Sequence, residues 1–176
     1  MGIFIEDGTG SGQSVGVSEN RLDTSARTNP RIAYIARDRQ ESYTWSHSYD
    51  YDAADTILLV SNSSTTQRLY IHMIFIGADT ATEWTVHSPA YPTLAGTVIT
   101  SVNTSRVSGK TADAEAYGDE TGNTQANVIV SGFLVANSTT ILPPSGSIIL
   151  GYHDCIAVDL VTAGTKGTVT IAGYYE

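Results

Sequence analysis

The feature that most restricts this chain is a period-two alternation of apolar and polar side chains, repeated in segment after segment. Tyr43, Trp45, His47 and Tyr49 fall on one face of such a segment, and Thr44, Ser46, Ser48 and Asp50 on the other. That period matches a half-buried strand, because successive side chains of an extended backbone point to opposite sides. Residues 68–76 place Leu69, Ile71, Met73 and Phe75 against Tyr70, His72, Ile74 and Ile76. With both faces apolar, this segment is expected to be a central strand. Residues 56–60 are a short run of the same apolar kind. Further strands are expected over 82–87, 96–102, 126–135, 139–142, 147–152, 155–161 and 168–175. Pro89 and Pro92 end one of them, since proline cannot donate to a ladder. Pro143-Pro144-Ser145-Gly146 marks a sharp turn. Residues 108–124 are polar and acidic and are expected to form a long loop, with at most a short helical turn around 112–117. Roughly eight to ten short strands punctuated by turns form the pattern of a sandwich or barrel.

Composition agrees with an all-β chain. Only two lysines accompany 18 serines and 23 threonines, so the residues that stabilise exposed helices are scarce. Charged residues make up 15%, against about 25% in an average domain. Apolar residues at 41% supply enough side chain for a core, and 176 residues suit one domain. The single cysteine, Cys155, excludes an intrachain disulfide.

Charge is unevenly placed. The formal net charge is −9, which repels phosphate, so no nucleic-acid partner is expected. The longest apolar stretch, 71–78, is far short of the roughly 20 residues that span a bilayer, and no membrane partner is expected. The opening MGIFIEDGTG lacks a basic region and a long apolar run, so a secretory signal is not expected. Five of the nine basic residues, Arg21, Arg27, Arg31, Arg37 and Arg39, lie in the first 40 positions. From residue 41 onward thirteen acids face four bases, a net −9. The first 40 residues are also glycine-rich and poor in large apolar side chains. They are expected to form an extended arm whose five arginines bind a partner, because such a segment gains order only against another surface. Ten tyrosines against three phenylalanines suit surfaces that are half wet. Tyr43, Trp45 and Tyr49 are therefore expected at a subunit interface, with an ordinary core or a sugar-binding platform as the alternatives.

Motifs for chemistry are weak. Gly12-Gln13-Ser14-Val15-Gly16 fits G-x-S-x-G, but without the strand and helix that hold a nucleophile elbow. Ser108-Gly109-Lys110-Thr111 resembles the end of a phosphate-binding loop, yet Thr104 stands where the first glycine belongs. His47, His72, His87 and His153 have no metal-ligand spacing. Asp50, Asp52 and Asp55, and Asp113, Glu115, Asp119 and Glu120, form two acidic clusters without the EF-hand pattern. No catalytic residue, metal or cofactor is expected.

Asp7-Gly8-Thr9-Gly10-Ser11-Gly12, with Val15, Val17 and Asn20-Arg21-Leu22, resembles the opening of small virion structural proteins of tailed bacteriophages. Leu142-Pro143-Pro144-Ser145-Gly146, followed by residues 148–150 and 155–160, is similar to the closing strands of jelly-roll capsid accessory proteins. The two regions cover about half of the chain. The resemblance implies a non-enzymatic head decoration, or cement, protein on the outer capsid surface of a virion. It implies the major capsid protein as partner, and a homotrimer. The expectation is thus an extended arm over 1–40 and a jelly-roll-like antiparallel β-sandwich over 41–176. The rival expectations are a tail, baseplate or fibre subunit, and a carbohydrate-binding module stacking sugars on Trp45, Trp84 or the tyrosines.

Overall fold

The computed structural model describes residues 17–18, 21–22, 35–51, 55–89, 94–120, 125–143 and 148–176. The chain divides into two compact units, Met1–Pro30 and Arg31–Glu176. In the first, β1 (Val17–Ser18) pairs antiparallel with β2 (Arg21–Leu22).

The second unit opens with a π-helical turn over Ile35–Arg39, closed by a hydrogen bond from the Gln40 amide to the Ile35 carbonyl. Ile35 is 1% exposed. These residues, assigned to the arm by their composition, therefore belong to the folded body: an isoleucine within reach of a core is more stable inside it.

Strands follow in the order β3 (Ser42–Tyr51), β4 (Asp55–Asn62), β5 (Leu69–Ala78), β6 (Thr82–His87), β7 (Thr97–Val98), β8 (Val102–Asn103), β9 (Ala114–Glu120), β10 (Val128–Leu134), β11 (Ser138–Leu142), β12 (Ile148–Leu150), β13 (Cys155–Leu160) and β14 (Gly164–Tyr175). All pairings are antiparallel, and they build two sheets. The first has the order β10-β6-β13-β4-β9-β7; the second has the order β11-β5-β14-β3-β8, with β12 also on β5. Packed together, they make an all-β sandwich.

The alternation read from the sequence is what joins the sheets. Tyr43 and Trp45 of β3, Ile74 and Ile76 of β5 and Val169 and Ile171 of β14 meet Leu58 and Val60 of β4, Trp84 and Val86 of β6 and Ile156 and Val158 of β13 in one buried cluster. β5 is an internal strand, as expected, with β14 on one side and β11 and β12 on the other. The segment expected as one strand over 96–102 is instead split: β7 joins the first sheet and β8 the second.

The acidic segment 108–124 is not a loop throughout. Ala114–Glu120 is a full strand, paired along β4 from Asn62↔Ala114 to Thr56↔Glu120. Its inward residues are Ala114, Ala116 and Gly118. Such small side chains leave almost no hydrophobic signal, while Glu115 and Asp119 make the segment look like solvated turn. Small residues are needed there because the His47 ring of β3 lies directly over Gly118, where an added β-carbon would overlap it. Gly118→Ala is expected to lower stability by about 1–3 kcal/mol, as overpacking does, measured by urea unfolding. Combining it with His47→Ala should recover part of the loss, and an unchanged midpoint in the single variant would mean the ring does not rest on that backbone.

Candidate interaction surface

Two of the three residues expected at a subunit interface, Tyr43 and Trp45, are not on the surface. Tyr43 is 1% exposed and Trp45 0%, which leaves neither ring free for a neighbouring subunit. The expectation fails because this face of β3 points between the sheets, where a tyrosine also finds a polar partner: the Tyr43 hydroxyl donates to the Thr111 carbonyl at 3.1 Å. Tyr43 also packs edge-on against Tyr175, with centroids 5.8 Å apart. Tyr49 is half-buried and stacks on His47. Trp84 is buried against Gly132, so both tryptophans that a sugar platform would use are core residues.

The five arginines also separate. Arg39 belongs to the body, where its guanidinium meets Glu41 at 2.9 Å. Lys110 reaches the same carboxylate at 2.9 Å and donates to the Arg39 carbonyl. The lysine of the phosphate-loop-like motif is therefore a brace between the residues leading into β3 and the 103–111 connection, not a phosphate ligand. Arg21 lies in β2 and Arg37 in the π-helical turn, with side chains outside the described residues; Arg27 and Arg31 lie wholly outside them, as does the G-x-S-x-G segment. Burial pulls the Glu41 carboxyl upward, but the Lys110 hydrogen bond, the Arg39 and Lys110 charges and the Gln67 amide together hold it below its ordinary 4.5. A carboxyl lowered by folding adds stability above its unfolded pKa, and that stability is lost as pH falls through the folded value. Glu41→Gln should therefore be less stable than the native chain at neutral pH. The gap, followed by thermal unfolding at stepped pH, should close as pH drops below 4.5.

One polar constellation is fully buried. Thr56 of β4 donates to Asp159 of β13 at 2.6 Å, and His87 Nε2 of β6 lies 2.9 Å from the other carboxylate oxygen, at an angle poor for a linear hydrogen bond. A nucleophile needs its base against the hydroxyl. Here the carboxylate stands between hydroxyl and imidazole, so the order Thr–Asp–His ties three neighbouring strands rather than activating Thr56. These residues lie on the outer face of the first sheet with Leu59, Cys155 and Ala157, a second buried cluster. Cys155 donates to the Pro89 carbonyl, and burial, with the Asp154 charge, pushes its thiol up to about 11. A thiol so shifted stays protonated and unreactive. Among the described residues no three His, Cys, Asp or Glu side chains converge as a metal site. Thr56→Val should cost about 1–3 kcal/mol, because Asp159 loses a buried donor; guanidinium unfolding checks this, and a neutral effect would mean the carboxylate is satisfied without it.

What the surface does offer is an apolar side. β10 is the outermost strand of the first sheet; β11 and β12 lie end to end along the outer side of β5 in the second. Phe133 and Val135 are each 64% exposed and Ile141 53%, and Val128, Ile129 and Ile149 are exposed too; Phe133, opposite Glu83, faces out from the first sheet, and Ile141, opposite Phe75, out from the second. A groove of about 390 Å³ runs beside β10, lined by Glu83, Thr85, Gln125, Ser131 and Phe133. One sequence signal marks this side and escapes a strand-by-strand reading: from residue 121 to residue 153 there is no Asp, Glu, Lys or Arg.

No family model matches this chain, and neither a curated protein nor a solved structure is significantly similar to it.

Proposed function

We propose that this chain is a non-enzymatic structural subunit of a tailed-bacteriophage virion: a jelly-roll body that decorates the outer capsid surface, with the major capsid protein as partner. The observation that carries it is the strand order. The set β11-β5-β14-β3 faces the set β10-β6-β13-β4. The chain crosses from one set to the other at β3 to β4, β4 to β5, β5 to β6, β10 to β11, β11 (by way of β12) to β13 and β13 to β14, while β6 and β10 pair side by side. Two four-stranded antiparallel layers entered alternately support the jelly-roll reading, an arrangement that viral capsid domains use. The resemblance of the glycine-rich opening residues and of the closing Leu142-Pro143-Pro144-Ser145-Gly146 supports the decoration role among jelly-roll functions.

Capsid attachment falls to the unit Met1–Pro30 and its boundary, where Arg21, Arg27, Arg31 and Arg37 supply guanidinium groups suited to bidentate bonds with carboxylates. Ile35 and Arg39 are engaged in the body, so the informative truncation ends at Pro30. Deleting residues 1–30 should leave the β spectrum and cooperative melting intact while abolishing co-sedimentation with undecorated capsids. Full-length protein that fails to co-sediment with capsids, or truncated protein that binds them normally, would refute this assignment.

A further inference from the structure

We propose that the groove on the outer face of the first sheet, along β6 and β10, binds a short neutral oligosaccharide. The register lays out its walls. Gly132 pairs with Trp84, whose ring is buried between the sheets, so the flanking pairs Phe133↔Glu83 and Ser131↔Thr85 point the other way. These four residues, with Gln125 and Val128, line a space of about 390 Å³, within the range of about 300–1,000 Å³ that small-molecule sites occupy. The lining follows β10 from Val128 to Phe133, roughly 15 Å at the rise of a strand. That suits a short chain of sugar rings better than a single one.

The chemistry of the lining selects the ligand. Ionised Glu83 offers only acceptors, whereas Gln125, Thr85 and Ser131 both donate and accept. No hydrogen bond or ion pair within the described chain engages these four side chains, so all of them are free for a ligand. Sugar hydroxyls likewise donate and accept, and a planar carboxylate or carboxamide can meet two neighbouring hydroxyls at once. A guanidinium or ammonium group only donates; it would use Glu83 but leave the donors of Gln125, Thr85 and Ser131 without acceptors. Anions are repelled by Glu83 and by the net −9 of the chain, and no basic side chain lines the groove. An apolar ligand would strip water from four polar side chains and return no hydrogen bond. Phe133, 64% exposed, supplies the remaining element, an open ring face for the C–H side of a pyranose. Burial closes Trp45 and Trp84 to such a ligand; it does not close Phe133.

The groove belongs to the body alone, so purified protein tests it without reference to capsids. Amide spectra of the full, isotope-labelled chain are followed while maltotriose, cellotriose, mannotriose, chitotriose or lactose is added. At least one of these sugars should shift the amides of residues 83–85 and 128–133 saturably. Phe133→Ala and Glu83→Ala alter exposed side chains, and each should weaken that binding about tenfold or more. Phe133→Tyr keeps a ring and should bind nearly as well as the native chain. Val107→Ala is the control: Val107 is 87% exposed and follows β8, in the other sheet, so it should leave the affinity unchanged. If Phe133→Ala does not fold, Glu83→Ala and Phe133→Tyr still decide. No saturable shift with any of these sugars, shifts confined to other faces, undiminished affinity in the alanine variants, or tighter binding of sialyllactose than of lactose would each overturn the proposal. So would a groove that answers instead to an acetylated Arg-Gly-Arg peptide, which would make its occupant a basic protein segment.

Discussion

The body depends on burying one face of each sheet against the other. β14 and β13 lie inside their sheets, each hydrogen-bonded on both sides: β14 between β5 and β3, β13 between β6 and β4. Their inward residues, Val169 and Ile171 on one and Ile156, Val158 and Leu160 on the other, are fully buried. A one-residue slip of either strand would turn that apolar set outward and bring Thr168 and Thr170, or Asp159, into the space between the sheets. Register is therefore set by the core itself, and the turns have only to permit it.

The first sheet differs from the second because its central strands, β13 and β4, are buried on both faces. Behind the inter-sheet core, Leu59, Cys155 and Ala157 form their own cluster, and Asp159 lies among them. A carboxylate in that position is costly unless its lone pairs are met. Thr56 meets one oxygen, His87 lies beside the other, and the three residues come from three adjacent strands. The ladder bulge between Val158 and Asp159 is part of the same arrangement, since it shifts Asp159 to face Thr56 across the pairing of β13 with β4. A polar cluster of this kind contributes to uniqueness of pairing: any other neighbour for β13 would leave the carboxylate unsatisfied.

Most of the fold was legible because its strands alternate. β5, β6, β10, β11, β12 and β13 lie close to where their patterns place them, and the inward face of β3 is the one its aromatic residues define. β9 was hidden because Ala114, Ala116 and Gly118 are inward residues chosen for smallness, under a histidine ring. The interface expectation for Tyr43 and Trp45 failed for a related reason. Aromatic side chains with a polar edge suit a surface and a core equally, and only the partner of the hydroxyl, here the Thr111 carbonyl, separates the two. Arg39 could not be assigned from composition because its counter-ion, Glu41, follows two residues later and lies across the boundary that charge alone suggested.

The placement of charge explains why the apolar side exists at all. A chain with this much acid and only two lysines has few cations with which to shield exposed strand edges. The opposite ends of the sheets are handled differently: β7 and β8 are two residues each, short enough to offer a neighbour little to pair with. The β10–β11–β12 side has neither device. Its strands are longer, its residues 121–153 are free of charge, and its large exposed side chains are valine, isoleucine and phenylalanine, among exposed Ser131, Asn137 and Thr139. Uncovered, such an edge invites uncontrolled aggregation, which selection removes by adding a single charge. At one end of β10 the bulge between Val128 and Val130 interrupts the ladder and supplies part of that protection.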